Sequence, residues 1–229
     1  MNALPMMQRA AVQFADRLRL VPGAIERHVP DYAPSTETLQ WTNVLLESGR
    51  FRHGHVETFV VADRLSVLHV CLFPHLDDPG PIFGFDMIAG PARVTGIFLD
   101  LSPTTGQADG PGLGEVRAAQ GVGAFQHPRV LPEWGDIFSA DCLAIRPADL
   151  DEVARAIHFA QAALDACLTG TRVRAPDRSA EVSAGQARYI AAQRRNEHTF
   201  RMLAGLIGPD KARGFIDQVL FPAVPELAI

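Results

Sequence analysis

The sequence predicts an α+β fold, with an antiparallel sheet in the middle of the chain and helices on both of its faces. Three observations predict it. Residues 51–101 hold four short apolar runs of strand type joined by brief turns, too short for crossover helices, so they form a meander rather than βαβ units. Apolar residues recur at helical spacing before this stretch, at Met7, Ala11, Phe14 and Leu18, and after it, at Leu150, Val153, Ile157, Ala160, Leu164 and Cys167. No internal repeat or composition break divides the 229 residues, so one domain spanning 1–229 is expected.

In chain order, residues 6–20 predict an amphipathic helix ended by Val21-Pro22-Gly23. Residues 24–35, with two prolines, predict a loop. Residues 37–48 fit either a strand or a helix, and Trp41 within them reads as core. The meander follows, its last strand running from Arg93 to Leu101. Residues 102–128 are rich in glycine and proline. Their Gly110-Pro-Gly112-Leu-Gly114 has neither the spacing nor the βαβ setting of a dinucleotide-binding turn and reads as a surface loop. A last strand is expected at Asp141–Ile145. Asp149 with Glu152 three residues on is a capping box that opens a helix stopped at Gly170, with His158 an ordinary residue beside its apolar stripe. Residues 171–182 predict a polar linker. One long helix from about Ser183 to Leu206 follows, and Pro209 begins a closing helix to Leu220.

Three meander strands each carry one titratable residue in an apolar run: Glu57, His69 and Asp86. Buried charge is costly unless paired, so such residues call for partners. If the first hairpin folds about Asp63, positions whose numbers sum to 126 pair, which sets Glu57 opposite His69. A second register with sum 155 sets Asp86 opposite His69. The three then form one row, with neighbours roughly 5 Å apart. His55 shares the face of Glu57, two residues away. Three readings stay open for this cluster. His53, His55 and Glu57 could form a metal site of H-x-H type, and a metal-dependent hydrolase could use His53, His55 and His69. The cluster could be a satisfied polar network within the sheet. Or the coupled Glu, His and Asp could hold and deliver protons near neutral pH.

Composition narrows the functional classes. A net charge of −5 provides no global field for nucleic acid. The chain has a single lysine, Lys211, which argues against Schiff-base catalysis. Cys71, Cys142 and Cys167 are widely spaced, fitting no zinc or disulfide framework and suiting a reducing cytosol. No run reaches the roughly 18–20 apolar residues of a membrane span, and the first residues have no signal-peptide profile. A soluble cytoplasmic protein, acting as a monomer, is expected. Residues 172–213 carry nine basic side chains against four acidic ones, a local excess that could dock an acidic partner or form a solvated arginine-rich face.

Several blocks in order resemble the ferredoxin-dependent bilin reductases, and most closely their phycocyanobilin-forming branch. They are HVE at 55–57, LHVCLFPH at 68–75, PIFGFDMIAG at 81–90, LDLSP at 99–103, LPEWGDIFS at 131–139, IRP at 145–147, QRRNEHTFRML at 193–203 and QVLFP at 218–222. The resemblance implies a three-layer α/β/α sandwich with a central antiparallel sheet, and biliverdin IXα held between the sheet and the C-terminal helices. It implies no bound metal, flavin or nicotinamide: reduced ferredoxin donates electrons singly, through bilin radicals, and the protein supplies protons. It implies that Asp86 and His69 are the central proton-donating pair and that Glu57 directs reduction of the D-ring vinyl group. His55 would organise that end of the pocket, Thr95 and Arg146 would receive propionates, and Asn196 and His198 would face the pocket from the C-terminal helix. Cyanobacterial members carry a lysine where His198 stands. The implied product is phycocyanobilin, by four-electron reduction. Phycoerythrobilin, a two-electron product, or a non-catalytic bilin-binding role are the alternatives.

Overall fold

A computed structural model describes residues 3–30, 32, 36–106, 109–132, 135–170 and 174–227. Seven strands form one antiparallel sheet in sequence order: β1 (Ile25–Arg27), β2 (Leu39–Glu47), β3 (His53–Val61), β4 (Leu65–Phe73), β5 (Ile82–Ala89), β6 (Val94–Ser102) and β7 (Leu143–Ile145). The β3–β4 turn passes through Asp63 at φ 54°, a left-handed conformation that aspartate tolerates better than bulky residues do. That turn fixes the register with sum 126, Glu57 opposite His69. The β4–β5 register has sum 155, His69 opposite Asp86.

Alternation along the strands divides the core in two. On β4, Leu68, Val70 and Leu72 point to one face, where they pack with α1 (Leu4–Arg19), α2 (Leu113–Ala119) and α3 (Leu150–Thr169). Cys71 and Phe73 point to the other, where they meet α4 (Ser179–Arg194), α5 (Glu197–Ile207) and α6 (Pro209–Phe215). The result is the α/β/α sandwich. The first face is closed by aromatic packing, Phe14 of α1 lying 5.4 Å from Phe85 and 6.3 Å from Phe83, centroid to centroid.

Helix ends explain where the helical layers turn. The Asp149 side chain accepts from the Glu152 N–H at 2.8 Å, as a capping box requires. The Glu152 carboxylate, however, accepts from Ala148 and Gln126 N–H instead of returning to Asp149. It thereby ties the β7–α3 connection to the loop before it. The long C-terminal helix expected from Ser183 to Leu206 is two helices. Asn196 breaks it, its side-chain oxygen accepting from the N–H groups of His198 and Thr199 to cap α5. Gly208 at φ 84° separates α5 from α6, which Pro209 opens and a π-helical turn, Ile216–Leu220, ends. At Gly185 a Cβ would lie 1.8 Å from the Thr104 carbonyl oxygen, so α4 reaches the end of β6 only because this residue is glycine.

Three further segments differ from expectation. Of residues 37–48, Leu39–Glu47 form a strand, because Leu39–Leu46 pair with Gly54–Val61 of β3. Three residues of the expected 24–35 loop, Ile25–Arg27, add an edge strand to β2. The glycine-rich stretch contains α2, whose buried Leu113 and Val116 seat it in the first core. Parts of two sequence blocks, Glu133-Trp134 and residues 171–173 with Arg172, lie outside the described residues. Among the described residues no helix is long and apolar enough to cross a membrane.

Candidate active site

The two registers place Asn43, Glu57, His69, Asp86 and Phe98 in one row across β2 to β6, on the face turned to α4–α6. His69 Nδ1 lies 2.8 Å from Asp86 Oδ1. The Trp41 indole N–H donates to Glu57 Oε1 at 2.5 Å. His55 Nε2 bonds Asn43 Oδ1 at 2.9 Å; the amide oxygen only accepts, so this nitrogen carries the proton. Glu57 and His69 are 5% and 7% exposed, whereas the Asp86 side chain is 40% exposed. The row therefore runs from a buried carboxyl to a solvent-open one.

The environment sets the protonation of each group. Burial pushes the Glu57 carboxyl up to about 7, against the opposing pull of His69 and the Trp41 indole. Burial would depress the His69 imidazole, but the charge and hydrogen bond of Asp86 outweigh it and hold His69 well above its ordinary range. His55 and His53 lack such a partner, and burial keeps both neutral, His53 with a pKa lowered to about 3. Near pH 7 the row thus contains a half-protonated carboxyl, an imidazolium and a second carboxyl within hydrogen-bond reach of it. Such a chain can store protons and present one at Asp86.

Aromatic rings roof the row. Phe215 of α6 packs edge-on to Trp41 at 4.6 Å and stands 6.2 Å from the His55 ring, and Phe221 stands 6.0 Å from the His69 ring. Thr95 sits at the β5–β6 bulge and its hydroxyl donates to the Ile88 carbonyl at 3.2 Å. Arg146, just past β7, is exposed and lines a cleft of about 520 Å³ with Arg93, His127 and Arg129. Asn196 is taken up with capping α5, and the His198 side chain is exposed. Among the described residues neither makes a side-chain hydrogen bond to the row.

The structure thus brings Glu57, His69, Asp86 and His55 together on one face in three separate hydrogen-bonded pairs, His69–Asp86, Trp41–Glu57 and His55–Asn43, sets Thr95 and Arg146 near the β6–β7 edge, and leaves Asn196 and His198 on the helical layer. Two residues bonded to this row differ from expectation: Asn43, which the sequence did not single out, and Trp41, expected only as core. Once β2 is known as a strand, parity places both on the Glu57 face. Arg129 was likewise unforeseen: it donates to the Thr95 carbonyl and lies over the Phe98 ring, joining the row's outer end to the Arg146 cleft. His53 stands apart, 6.2 Å from the His55 ring, and the three-histidine hydrolase set does not form.

A buried Glu57 and the His69–Asp86 pair, under the rings of Phe215 and Phe221, define a titratable site between the sheet and the C-terminal helices. The chain belongs to the ferredoxin-dependent bilin reductase family, whose description it matches over residues 7–222. It is 36% identical over 191 residues to a phycocyanobilin:ferredoxin oxidoreductase of Synechococcus elongatus, covering 81% of this chain and 77% of the relative. It is 31% identical over 189 residues to the phycocyanobilin:ferredoxin oxidoreductase of Trichodesmium erythraeum, with the same coverage. The fold also matches tomato phytochromobilin synthase, solved in complex with biliverdin, at a TM-score of 0.72 and 16% identity, over 96% of this chain and 83% of that one.

Proposed function

We propose that this chain reduces biliverdin IXα with electrons from ferredoxin and that its product is phycocyanobilin, formed by uptake of four electrons and four protons. The observation that carries this reading is the row itself: His69 bonded to Asp86 at 2.8 Å, with Glu57 in register beside it. Reducing a conjugated tetrapyrrole needs electrons and protons in alternation. A protein that receives electrons singly from outside controls the reaction through proton position and electrostatics. The reading requires no bound metal, flavin or nicotinamide. Asp86, at the solvent-open end, gives its proton to the bilin, and His69 reloads it. Glu57, nearly half-protonated at neutral pH, serves the D-ring vinyl group, and His55 holds that end in place. Thr95 and Arg146 receive propionates at the β6–β7 edge. Admission of the bilin requires α6 and the turn after it to move outward, because Phe215 and Phe221 occupy the space above His55 and His69.

The docking surface for an acidic ferredoxin falls to part of the basic segment. Arg174, Arg178, Arg194 and Arg201 are paired with acids of the chain itself. Arg188, Arg195, Lys211 and Arg213 are exposed and make no salt bridge among the described residues. These four are the proposed steering charges, and their effect weakens with salt.

One observation favours a second reading of the product. The exposed imidazole of His198 stands where the resembling enzymes carry a permanently charged lysine, and a different hydrogen-bond network there points to phycoerythrobilin or a two-electron product. Anaerobic mixing with biliverdin and then reduced ferredoxin tests all of this. A coloured complex that turns over to material co-eluting with phycocyanobilin is expected. Elution at another bilin standard selects the second reading, and a static coloured complex means a binding protein. No spectral change on adding biliverdin rules out bilin binding altogether.

A further inference from the structure

The sheet face under α6 carries a thiol that the proton row does not use. Cys71 on β4 pairs directly with His55 on β3 and lies two residues from His69, on the same side of the sheet. One ring nitrogen of each histidine and the Cys71 sulfur lie within 4.8 Å of one another, and all three residues are buried. The outer nitrogens are already held: His55 Nε2 by Asn43 Oδ1 at 2.9 Å, His69 Nδ1 by Asp86 Oδ1 at 2.8 Å. The inner nitrogens, His55 Nδ1 and His69 Nε2, are buried and meet no nitrogen or oxygen partner among the described residues; His69 interacts with the Cys71 thiol, which itself donates weakly to the Leu220 carbonyl at 3.8 Å. An imidazole fixed from outside by a carbonyl or carboxylate, with its other nitrogen left over, is the arrangement of metal-binding histidines. Two imidazoles and a thiolate with a fourth position open form a donor set for zinc-type cations.

We propose that His55, His69 and Cys71 form a binding site for a soft divalent cation such as Zn²⁺. Ligands at about 2.0–2.3 Å from a tetrahedral ion stand about 3.5 Å apart. Closing the cluster therefore takes about 1 Å of side-chain movement. The Cys71 S–H and His69 Nε2–H bonds break, both protons leave to solvent, and a sulfur–metal and a nitrogen–metal bond form in their place. The half-exposed Asp86 side chain beside His69 marks the way in from solvent. A bound cation occupies His69 Nε2 and leaves the ring without the proton it would pass to Asp86 through Nδ1, so metal occupation and proton delivery exclude each other. This last consequence alone rests on the bilin reading.

Cobalt titration of the full-length protein, without bilin and under a phosphine reductant, tests the site. Saturation at one Co²⁺ per chain is expected, with tetrahedral visible bands and a thiolate-to-cobalt band in the near ultraviolet, both bleached by equimolar Zn²⁺. Cys71→Val, similar in volume, should lose the near-ultraviolet band, and His55→Gln should bind at least tenfold more weakly; circular dichroism reports whether each is folded. No thiolate band in the wild type, or a band that persists in Cys71→Val and so comes from Cys142 or Cys167, overturns the proposal. These arms contain no bilin, so they succeed or fail apart from the functional reading. In turnover, Zn²⁺ should inhibit the wild type at least tenfold more strongly than Cys71→Val; equal inhibition refutes the exclusion.

Discussion

Replacing Glu57 by Gln separates the charge of this side chain from its shape. The amide keeps an oxygen to accept the Trp41 indole N–H, so packing and the hydrogen bond are preserved. What is removed is a carboxyl whose pKa burial raises from an ordinary 4.5 to about 7. A raised carboxyl pKa means that the folded state binds the proton more tightly than the unfolded chain does. Stability therefore falls as pH climbs from about 4.5 to 7, and levels off above. Each pH unit in that window is worth up to about 1.4 kcal/mol, which gives a loss of about 2 to 3 kcal/mol by pH 7. Glu57→Gln abolishes it. Urea unfolding of the ligand-free wild type and variant, at steps from pH 4.5 to 7, should show the variant gaining about 2 to 3 kcal/mol relative to the wild type across the range. Neutral His53 and His55 add stability as pH rises toward 6.5, but they are common to both proteins and cancel in the difference. His69, held up by Asp86, contributes stability that begins to be lost above its ordinary value of 6.5, and this too is common to both proteins. A difference that stays flat from pH 4.5 to 7 would refute the claim that Glu57 titrates near neutrality. The same variant should stop reduction at the D-ring vinyl group while leaving the first two-electron step intact.

Three further substitutions probe the surroundings. Trp41→Phe removes the indole donor, which leaves the Glu57 carboxylate less stabilised, so the alkaline limb of vinyl reduction should move to higher pH; an unmoved limb in product-ratio profiles removes Trp41 from the mechanism. Gly185→Ala forces a Cβ onto the Thr104 carbonyl and should cost about 2 kcal/mol or more, read by thermal melting; a loss under about 0.5 kcal/mol contradicts the close approach of α4. Asn196→Ala deletes the α5 cap and should cost about 1 kcal/mol, with Asn196→Asp restoring it; if the two melt alike, the capping role is wrong.

Much of this site could be read from strand patterning because its logic is periodic. A lone Glu, His and Asp in three apolar strands, with a turn at Asp63, left few registers that could pair them, and the observed pairing follows those sums. The expected α3 stripe is likewise buried, apart from a half-buried Leu150. What escaped depended on contacts distant in sequence. Residues 37–48 have no decisive period of their own; pairing with β3 makes them a strand and turns Trp41 from a core residue into the donor to Glu57. The C-terminal helix looked continuous because Arg195 and Asn196 are tolerable inside a helix. Only the side-chain oxygen of Asn196, satisfying two N–H groups, shows that a new helix begins there. The basic excess of residues 172–213 is smaller in the fold, since four of its arginines are engaged by acids of the same chain.

The central claim is that Asp86, bonded to His69, delivers protons to a bilin reduced by ferredoxin. The most direct measurement is anaerobic turnover of biliverdin by Asp86→Asn beside the wild type, followed by absorbance and product chromatography. The amide keeps the position of the carboxyl but has no acid proton to give. The account predicts that the variant binds biliverdin, accepts electrons and stalls at a radical species, with product formation slowed about 10² to 10⁴-fold. Wild-type rates and products from Asp86→Asn would contradict it.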